Sequence, residues 1–266
     1  MYDRFNRKIN YLRISVTDRC NLRCVYCMPA EGVELMPHKA ILSFEEIVEF
    51  TKKAVADGVD KVRITGGEPL VRHDIIKLIK SLGEIEGILD FGMTTNGILL
   101  PKYAQQLKAV GLMRVNISLD TMDPKRYREI TRLGNIEDVF MGIEAAKEAG
   151  LFPIKINCVI KKSRFEPDAV EVAKFCEEND LEIRFIHEMN LETGEFSVVE
   201  GGEGGDCKIC NRLRLTANGD VMPCLFSDLS FNVRELGIEK SIKESLDNKP
   251  RSGTSNHSSK FSNIGG

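Results

Sequence analysis

From residue 10 to about 188 the chain repeats one pattern: a short run in which apolar and polar residues alternate, a turn, then a longer run with apolar residues three and four apart. Alternation marks a strand with two unlike faces, and the wider spacing marks a helix with one apolar face. The spacing predicts strands over 11–16, 61–65, 91–95, 113–119, 153–160 and 181–187, and helices over 43–57, 73–82, 101–109, 124–131, 135–148 and 166–179. Ser43 followed by Phe44, Glu45 and Glu46 reads as a capping box. Pro101, Pro124 and Pro167 fall in first turns, and Gly58, Gly111 and Gly150 fit helix ends. Strands alternating with helices make right-handed βαβ units on a parallel sheet. The expected fold class is α/β, a partial (β/α)6 barrel of the TIM type with a small C-terminal extension. In such a fold function gathers at the carboxyl ends of the strands. A doubly wound open sheet is the alternative, but it calls for a Gly-rich turn after the first strand, where this chain has cysteines.

The pattern changes after Met189. Residues 190–206, NLETGEFSVVEGGEGGD, read as a flexible connector, and 207–246 carry a further cysteine group. The expected division is 1–189 for the barrel and 190–266 for connector, second cysteine group and tail. Residues 247–266 are mostly polar and are expected to be mobile unless a ligand or pocket orders them.

Composition adds exclusions. The 266 residues are 42% hydrophobic and 29% charged, which is globular, and the net charge is −3. That charge argues against a general nucleic-acid or membrane-surface binder, while leaving room for a local basic pocket. The start, MYDRFNRKINYLRISV, has no signal-peptide apolar core, and no apolar run is long enough to span a membrane. A cytoplasmic location is therefore expected, where thiols stay reduced and clustered cysteines read as metal ligands before disulfides.

There are eight cysteines. Cys20, Cys24 and Cys27 form C-x3-C-x2-C directly after the first strand, and Cys207, Cys210 and Cys224 form C-x2-C-x13-C. Three thiols in eight residues can turn onto one inorganic centre, an iron–sulfur cluster or zinc. Three ligands leave one metal position open for chemistry. A structural zinc with a distant fourth ligand is the bland alternative for each group. Cys158, mid-strand, and Cys176, on a helix, read as core residues.

C-x3-C-x2-C with Tyr26 before its last cysteine resembles the radical S-adenosylmethionine (SAM) superfamily. That resemblance implies a [4Fe-4S] cluster on Cys20, Cys24 and Cys27, and SAM bound to its open iron and cleaved to a 5′-deoxyadenosyl radical. It implies SAM contacts at Tyr26, at Gly67 and Glu68 of Gly66-Gly67-Glu68-Pro69, at Ser118 and at Met189. The same letters at Gly201-Gly202-Glu203 fall in the connector and carry nothing.

The run Asn211-Arg212-Leu213-Arg214-Leu215-Thr216, then Asn218-Gly219-Asp220 and Pro223-Cys224-Leu225-Phe226, together with Leu12–Cys20 and the terminal Gly-Gly, resembles the GTP 3′,8-cyclase family of molybdenum-cofactor biosynthesis. This resemblance implies a second [4Fe-4S] cluster on Cys207, Cys210 and Cys224 whose open iron binds guanine. It implies abstraction of the ribose 3′ hydrogen and attack of C3′ on C8, giving 3′,8-cyclo-7,8-dihydro-GTP. Gly265 and Gly266 would reach into the pocket and assist turnover. An electron donor such as flavodoxin or ferredoxin and a downstream cyclic pyranopterin synthase are the implied partners, and a homodimer is an expected assembly. Between Met189 and Cys207 this chain is shorter than that family.

The charges of the strands point the same way independently. Arg13, Lys61, Arg63, Thr65, Lys155, Asn157, Glu182 and Arg184 all occupy polar positions of alternating strands, and the helix-covered outer face must be apolar. The polar set therefore points inward. Buried cations cost several kcal/mol each unless anions meet them, and a triphosphate supplies several. Acidic partners such as Asp18, Glu182 or Asp120 are the alternative for any single residue. The resemblance picks out Arg13, Arg63, Thr94, Lys155, Arg212 and Arg214 as GTP contacts, with Lys61 and Arg184 nearby and Leu213 completing the set. His187 ends the sixth strand and reads first as a satisfied strand-end residue. Two rival functions remain open at this stage: a radical SAM enzyme with an auxiliary cluster acting on a peptide or another nucleotide, and a non-catalytic iron–sulfur or zinc protein.

Overall fold

In the computed structural model, which describes residues 1–257 and Ile264, one mixed sheet of nine strands runs through the chain. The strands are β1 (Tyr11–Ser15), β2 (Lys61–Thr65), β3 (Asp90–Thr95), β4 (Arg114–Ser118), β5 (Lys155–Ile160), β6 (Glu182–His187), β7 (Arg212–Leu215), β8 (Asp220–Met222) and β9 (Phe231–Asn232). Their order is β6-β5-β4-β3-β2-β1-β7-β8-β9; the strands from β6 through β7 in that order run parallel, and the β7–β8 and β8–β9 pairs are antiparallel. The helices are α1 (Phe44–Ala56), α2 (Ile75–Gly83), α3 (Leu100–Ala109), α4 (Pro124–Thr131), α5 (Ile136–Glu148), α6 (Pro167–Glu178), α7 (Val233–Leu236) and α8 (Ile238–Asp247). All six predicted strands and all six predicted helices are present, with ends shifted by one or two residues.

Local chemistry explains the starts. The Ser43 side chain accepts from Glu46 N while Glu46 reaches back to Ser43 N, a complete capping box on α1. Asp123 accepts from Arg126 N ahead of α4, whose first residue is Pro124. The even-numbered residues Leu12, Ile14, Val62 and Ile64, with Phe91, Met93, Val115, Ile117 and Ile156, are buried under the helices. Truncating one such residue to alanine costs about 2–5 kcal/mol. Strand parity then forces their neighbours to the inner face.

Two expectations change. The C-terminal segment adds β7 beside β1, pairing Arg13 with Arg214 and Tyr11 with Arg212, so the second cysteine group enters by way of the barrel's own sheet. And the Gly-rich connector is packed rather than free. Glu200 exchanges two backbone hydrogen bonds with Phe185, at 3.0 and 3.1 Å, which pairs the outer edge of β6 at its middle. Its glycines allow that approach: a Cβ on Gly201 would lie 2.5 Å from Ile183 O. Ile264 is buried in a small apolar cluster with Leu191, Met222, Leu225 and Phe226. Gly265 and Gly266 lie outside the described residues. Among those described, no helix is long and apolar enough to cross a membrane.

Candidate active site

Two cavities lie inside the curve of the sheet. The first, of about 190 Å³, sits at the carboxyl ends of the strands and is lined by Cys20, Cys24, Cys27, Tyr26, Gly67, Ser118 and Met189, among others. The Cys20–Cys27 loop is pinned from α4: Arg23 N and Val25 N donate to Thr131 O and Ile130 O, and Arg132 donates to the carbonyls of Arg23 and Met28. Burial pushes the Cys20 thiol up, and it holds Cys24 up and Cys27 up to about 12, with the neighbouring thiols adding to the last two. Three half-buried thiols that resist ionising are suited to a cationic core that reverses their preference.

The glycine pair after β2 has a reason the sequence did not reveal. A Cβ on Gly67 would lie 2.3 Å from Arg19 O, and one on Gly66 2.7 Å from Thr17 O. Gly67 N and Glu68 N donate to Thr17 O and Arg19 O, each at 2.8 Å. The close approach is thus of backbone to backbone, and it fixes the segment leading into Cys20. Glu68 does not line the cavity. Its carboxylate is buried and accepts from Thr95 Oγ1, Leu70 N and Asn96 N at 2.8, 3.0 and 2.7 Å. Asn96 in turn donates to Asn21 Oδ1 at 2.7 Å, beside Cys20.

The second cavity is larger, about 430 Å³, and fills the barrel interior. Cys207, Cys210 and Cys224 line its far end. Arg13, Lys61, Arg63 and Arg184 line it, as the strand alternation predicts, and so do Thr94, Arg212 and Arg214, which the resemblance picked out. Arg63 is 1% exposed and donates to Asn116 Oδ1 at 2.8 Å, while its Nε has no hydrogen-bond partner among the described residues. The Nε of Arg184 and the Oδ1 of Asn157 are likewise buried and unmatched. Burial and the guanidiniums of Arg13 and Arg212 push Arg214 down to about 9. Burial drives Tyr11 up, but Arg63, Arg13 and Arg212 together pull its hydroxyl down to about 7. Such a pocket is short of negative charge and fits an anion.

Two expected substrate contacts are not on its wall. Lys155 is ion-paired with Glu182, the acidic alternative named above. Leu213, paired in register with Leu12, falls on the outer face and is fully buried in the core. Tyr11, Asp90, Arg114 and Asn116, which no sequence motif singles out, are also on the wall. Arg114 and Asp90 form a two-pronged salt bridge of 2.7 and 2.6 Å. His187 lines the first cavity, with Nε2 4.0 Å from Glu200 Oε1. Cys158 and Cys176 are core residues, 0% and 1% exposed.

Thr94, Asn157, Ile186 and Met189 line both cavities, so the two share a wall. Among the described residues no three His, Cys, Asp or Glu side chains close around a single ion, and the thiols of each group line one cavity. The donor sets suit iron–sulfur chemistry, in which cysteine thiolates hold a multi-iron core.

The model of the Radical SAM superfamily matches residues 14–176. A GTP 3′,8-cyclase of Thermodesulfovibrio yellowstonii is 41% identical over all of both chains. This chain belongs to the GTP 3′,8-cyclase family of radical SAM enzymes. A GTP 3′,8-cyclase of Listeria welshimeri is 40% identical over 93% of this chain and 90% of its own, and one of Moorella thermoacetica 42% over 88% and 86%. The first alignment runs over 323 positions against 266 residues here, so that relative carries segments this chain lacks. Among solved structures, Streptococcus suis SuiB superposes with a TM-score of 0.64 at 20% identity, covering 92% of this chain and 67% of its own. Native anSMEcpe with bound AdoMet gives 0.64 at 17%, covering 91% and 81%. At those identities the likeness is one of fold. The superfamily implies a [4Fe-4S] cluster and SAM.

Proposed function

We propose that the chain converts GTP to 3′,8-cyclo-7,8-dihydro-GTP, with SAM chemistry in the first cavity and GTP in the second. The wall shared through Thr94, Asn157, Ile186 and Met189 carries this reading, because a radical made in one cavity must meet a substrate held in the other without crossing solvent. Cys20, Cys24 and Cys27 would hold the first cluster, which with SAM supplies the 5′-deoxyadenosyl radical. Tyr26, Gly67, Ser118 and Met189 would border SAM, and Glu68 would act on it through Asn96 and Thr95. Arg13, Lys61, Arg63, Arg184, Arg212 and Arg214 would bind the triphosphate and fix the ribose toward the shared wall. Guanidiniums grip phosphate in two-pronged fashion and are weakly hydrated, so they suit this buried place. Cys207, Cys210 and Cys224 would hold a second [4Fe-4S] cluster that anchors the base. Electrons would come from a donor such as flavodoxin or ferredoxin, and the product would pass to a cyclic pyranopterin synthase.

The test is anaerobic reconstitution followed by addition of SAM, a reductant and GTP. The reading expects about eight irons per chain, as two four-iron clusters, and GTP-dependent formation of 5′-deoxyadenosine with a cyclised nucleotide. SAM cleavage that leaves GTP unconsumed would point to the peptide-modifying alternative, and no cleavage at all to an electron carrier.

A further inference from the structure

Lys249 is 2% exposed, yet among the described residues its ammonium meets no carboxylate at ion-pair distance. Lysine is almost never buried so completely without a partner. Its Nζ donates to two carbonyls, Arg212 O at 2.7 Å and Pro223 O. Arg212 stands two residues after Cys210, and Pro223 immediately precedes Cys224. One ammonium therefore ties together the two chain segments that carry these thiols, and Lys249, Cys210 and Cys224 all line the same cavity.

The third thiol is tied by a second cation. Arg7 donates to Cys207 O at 2.5 Å and to Pro250 O at 2.7 Å. Its Nε donates to Asp3 Oδ2 at 2.6 Å, and Asp3 also caps the backbone of Phe5 and Arg7. The N-terminal segment thus fixes Cys207 to the residue next to Lys249.

Resting on the reading that Cys207, Cys210 and Cys224 hold an iron–sulfur cluster, we infer that Lys249 and Arg7 are positioning residues that preassemble this cysteine set, and that the Lys249 ammonium is the buried counter-charge of the cluster. Carbonyl dipoles alone compensate a buried ammonium poorly, whereas three thiolates around an iron core bring net negative charge to the same cavity.

The test uses the full chain carrying Cys20→Ala, Cys24→Ala and Cys27→Ala, so that only the second group can hold iron. This parent is expected to retain about four irons after anaerobic reconstitution. Lys249→Met should release iron to a chelator about tenfold faster, as loss of an outer-shell partner does. Its cluster's midpoint potential should move to more negative values, because a nearby positive charge favours the reduced state. Lys249→Arg should restore both. Lys249→Gln, which keeps a donor but no charge, should restore retention more than potential. Arg7→Ala should speed release with a smaller change in potential. If the triple variant does not fold, the same comparison in the otherwise intact chain reads as a fall from about eight irons to about four. Unchanged release and potential in Lys249→Met overturn the inference while leaving the second cluster in place. A parent that binds no iron overturns the cluster reading, and this inference with it.

Discussion

The hydroxyl of Tyr26 donates to Asp120 Oδ2 at 2.7 Å, and the other oxygen of that carboxylate accepts from Val159 N at 2.8 Å. A residue inside the first cysteine group is thereby tied to the segment after β4 and to β5. Tyr26→Phe keeps the ring but removes the donor, leaving a buried carboxylate with one partner fewer. The expected cost is about 1–3 kcal/mol in the metal-free chain, together with faster loss of iron from the first group. Thermal denaturation and iron counting check both, and an unchanged melting temperature would show that the bond contributes nothing.

The same carboxyl has a consequence for pH. Burial holds Asp120 up at about 6 and Glu68 up at about 7, from ordinary values of 3.8 and 4.5. The folded metal-free chain therefore keeps protons that the unfolded chain has released. That contribution is complete below about pH 4 and is lost as pH rises to about 7, so stability falls over this window. Glu68→Gln removes its share. The difference in unfolding free energy between wild type and Glu68→Gln should move toward the variant, by up to about 3 kcal/mol, between pH 4.5 and pH 8. Denaturant titrations at the two pH values measure it, and a pH-independent difference would contradict the burial of an ionisable Glu68.

Lys155 and Arg63 separate charge in the sequence from charge in the pocket. Both sit at polar positions of alternating strands. Arg63 lines the second cavity with its Nε unmatched, while Lys155 is committed to Glu182. Arg63→Ala should weaken GTP binding by at least about 100-fold, in keeping with about 3 kcal/mol for a charge-assisted contact, and Lys155→Ala by less than about tenfold. Calorimetric titration of GTP into the reconstituted protein compares them, and equal losses would place Lys155 at the phosphates.

Gly92 shows where reading by pattern stops. The strand periods, the capping box on α1 and the inward cations were legible because each depends on residues close in sequence. Gly92 looked like one more strand residue. In the fold it faces Arg63 across the register, and a Cβ there would lie 2.8 Å from Arg63 Nη1. Its bare backbone is the floor on which the guanidinium lies. The packed connector, the backbone role of Gly66 and Gly67, and the outward turn of Leu213 were hidden for the same reason. Each is set by a partner in another strand or loop. On the proposed placement of GTP, Gly92→Ala should leave SAM cleavage without GTP unchanged and raise the KM for GTP about tenfold, since displacing one guanidinium would misplace a phosphate bound there.

The connector over β6 can be tested through its tightest turn. Gly205 has a φ of +80°, and a Cβ on it would lie 1.9 Å from Ser197 O. Val199 N donates to Gly204 O at 2.8 Å within the same loop, and Arg212 donates to Glu203 O at 3.3 Å. A side chain at 205 must push this loop off the cavity it lines. The strain of a left-handed residue, about 1–2 kcal/mol, adds to the collision. Because the loop borders the second cavity and not the first, Gly205→Val should weaken GTP binding while iron content and SAM-dependent spectroscopic changes at the first cluster stay as in wild type. Equal damage to both would mean that the connector supports the whole barrel. Damage to GTP binding alone would make these residues the lid of the second cavity.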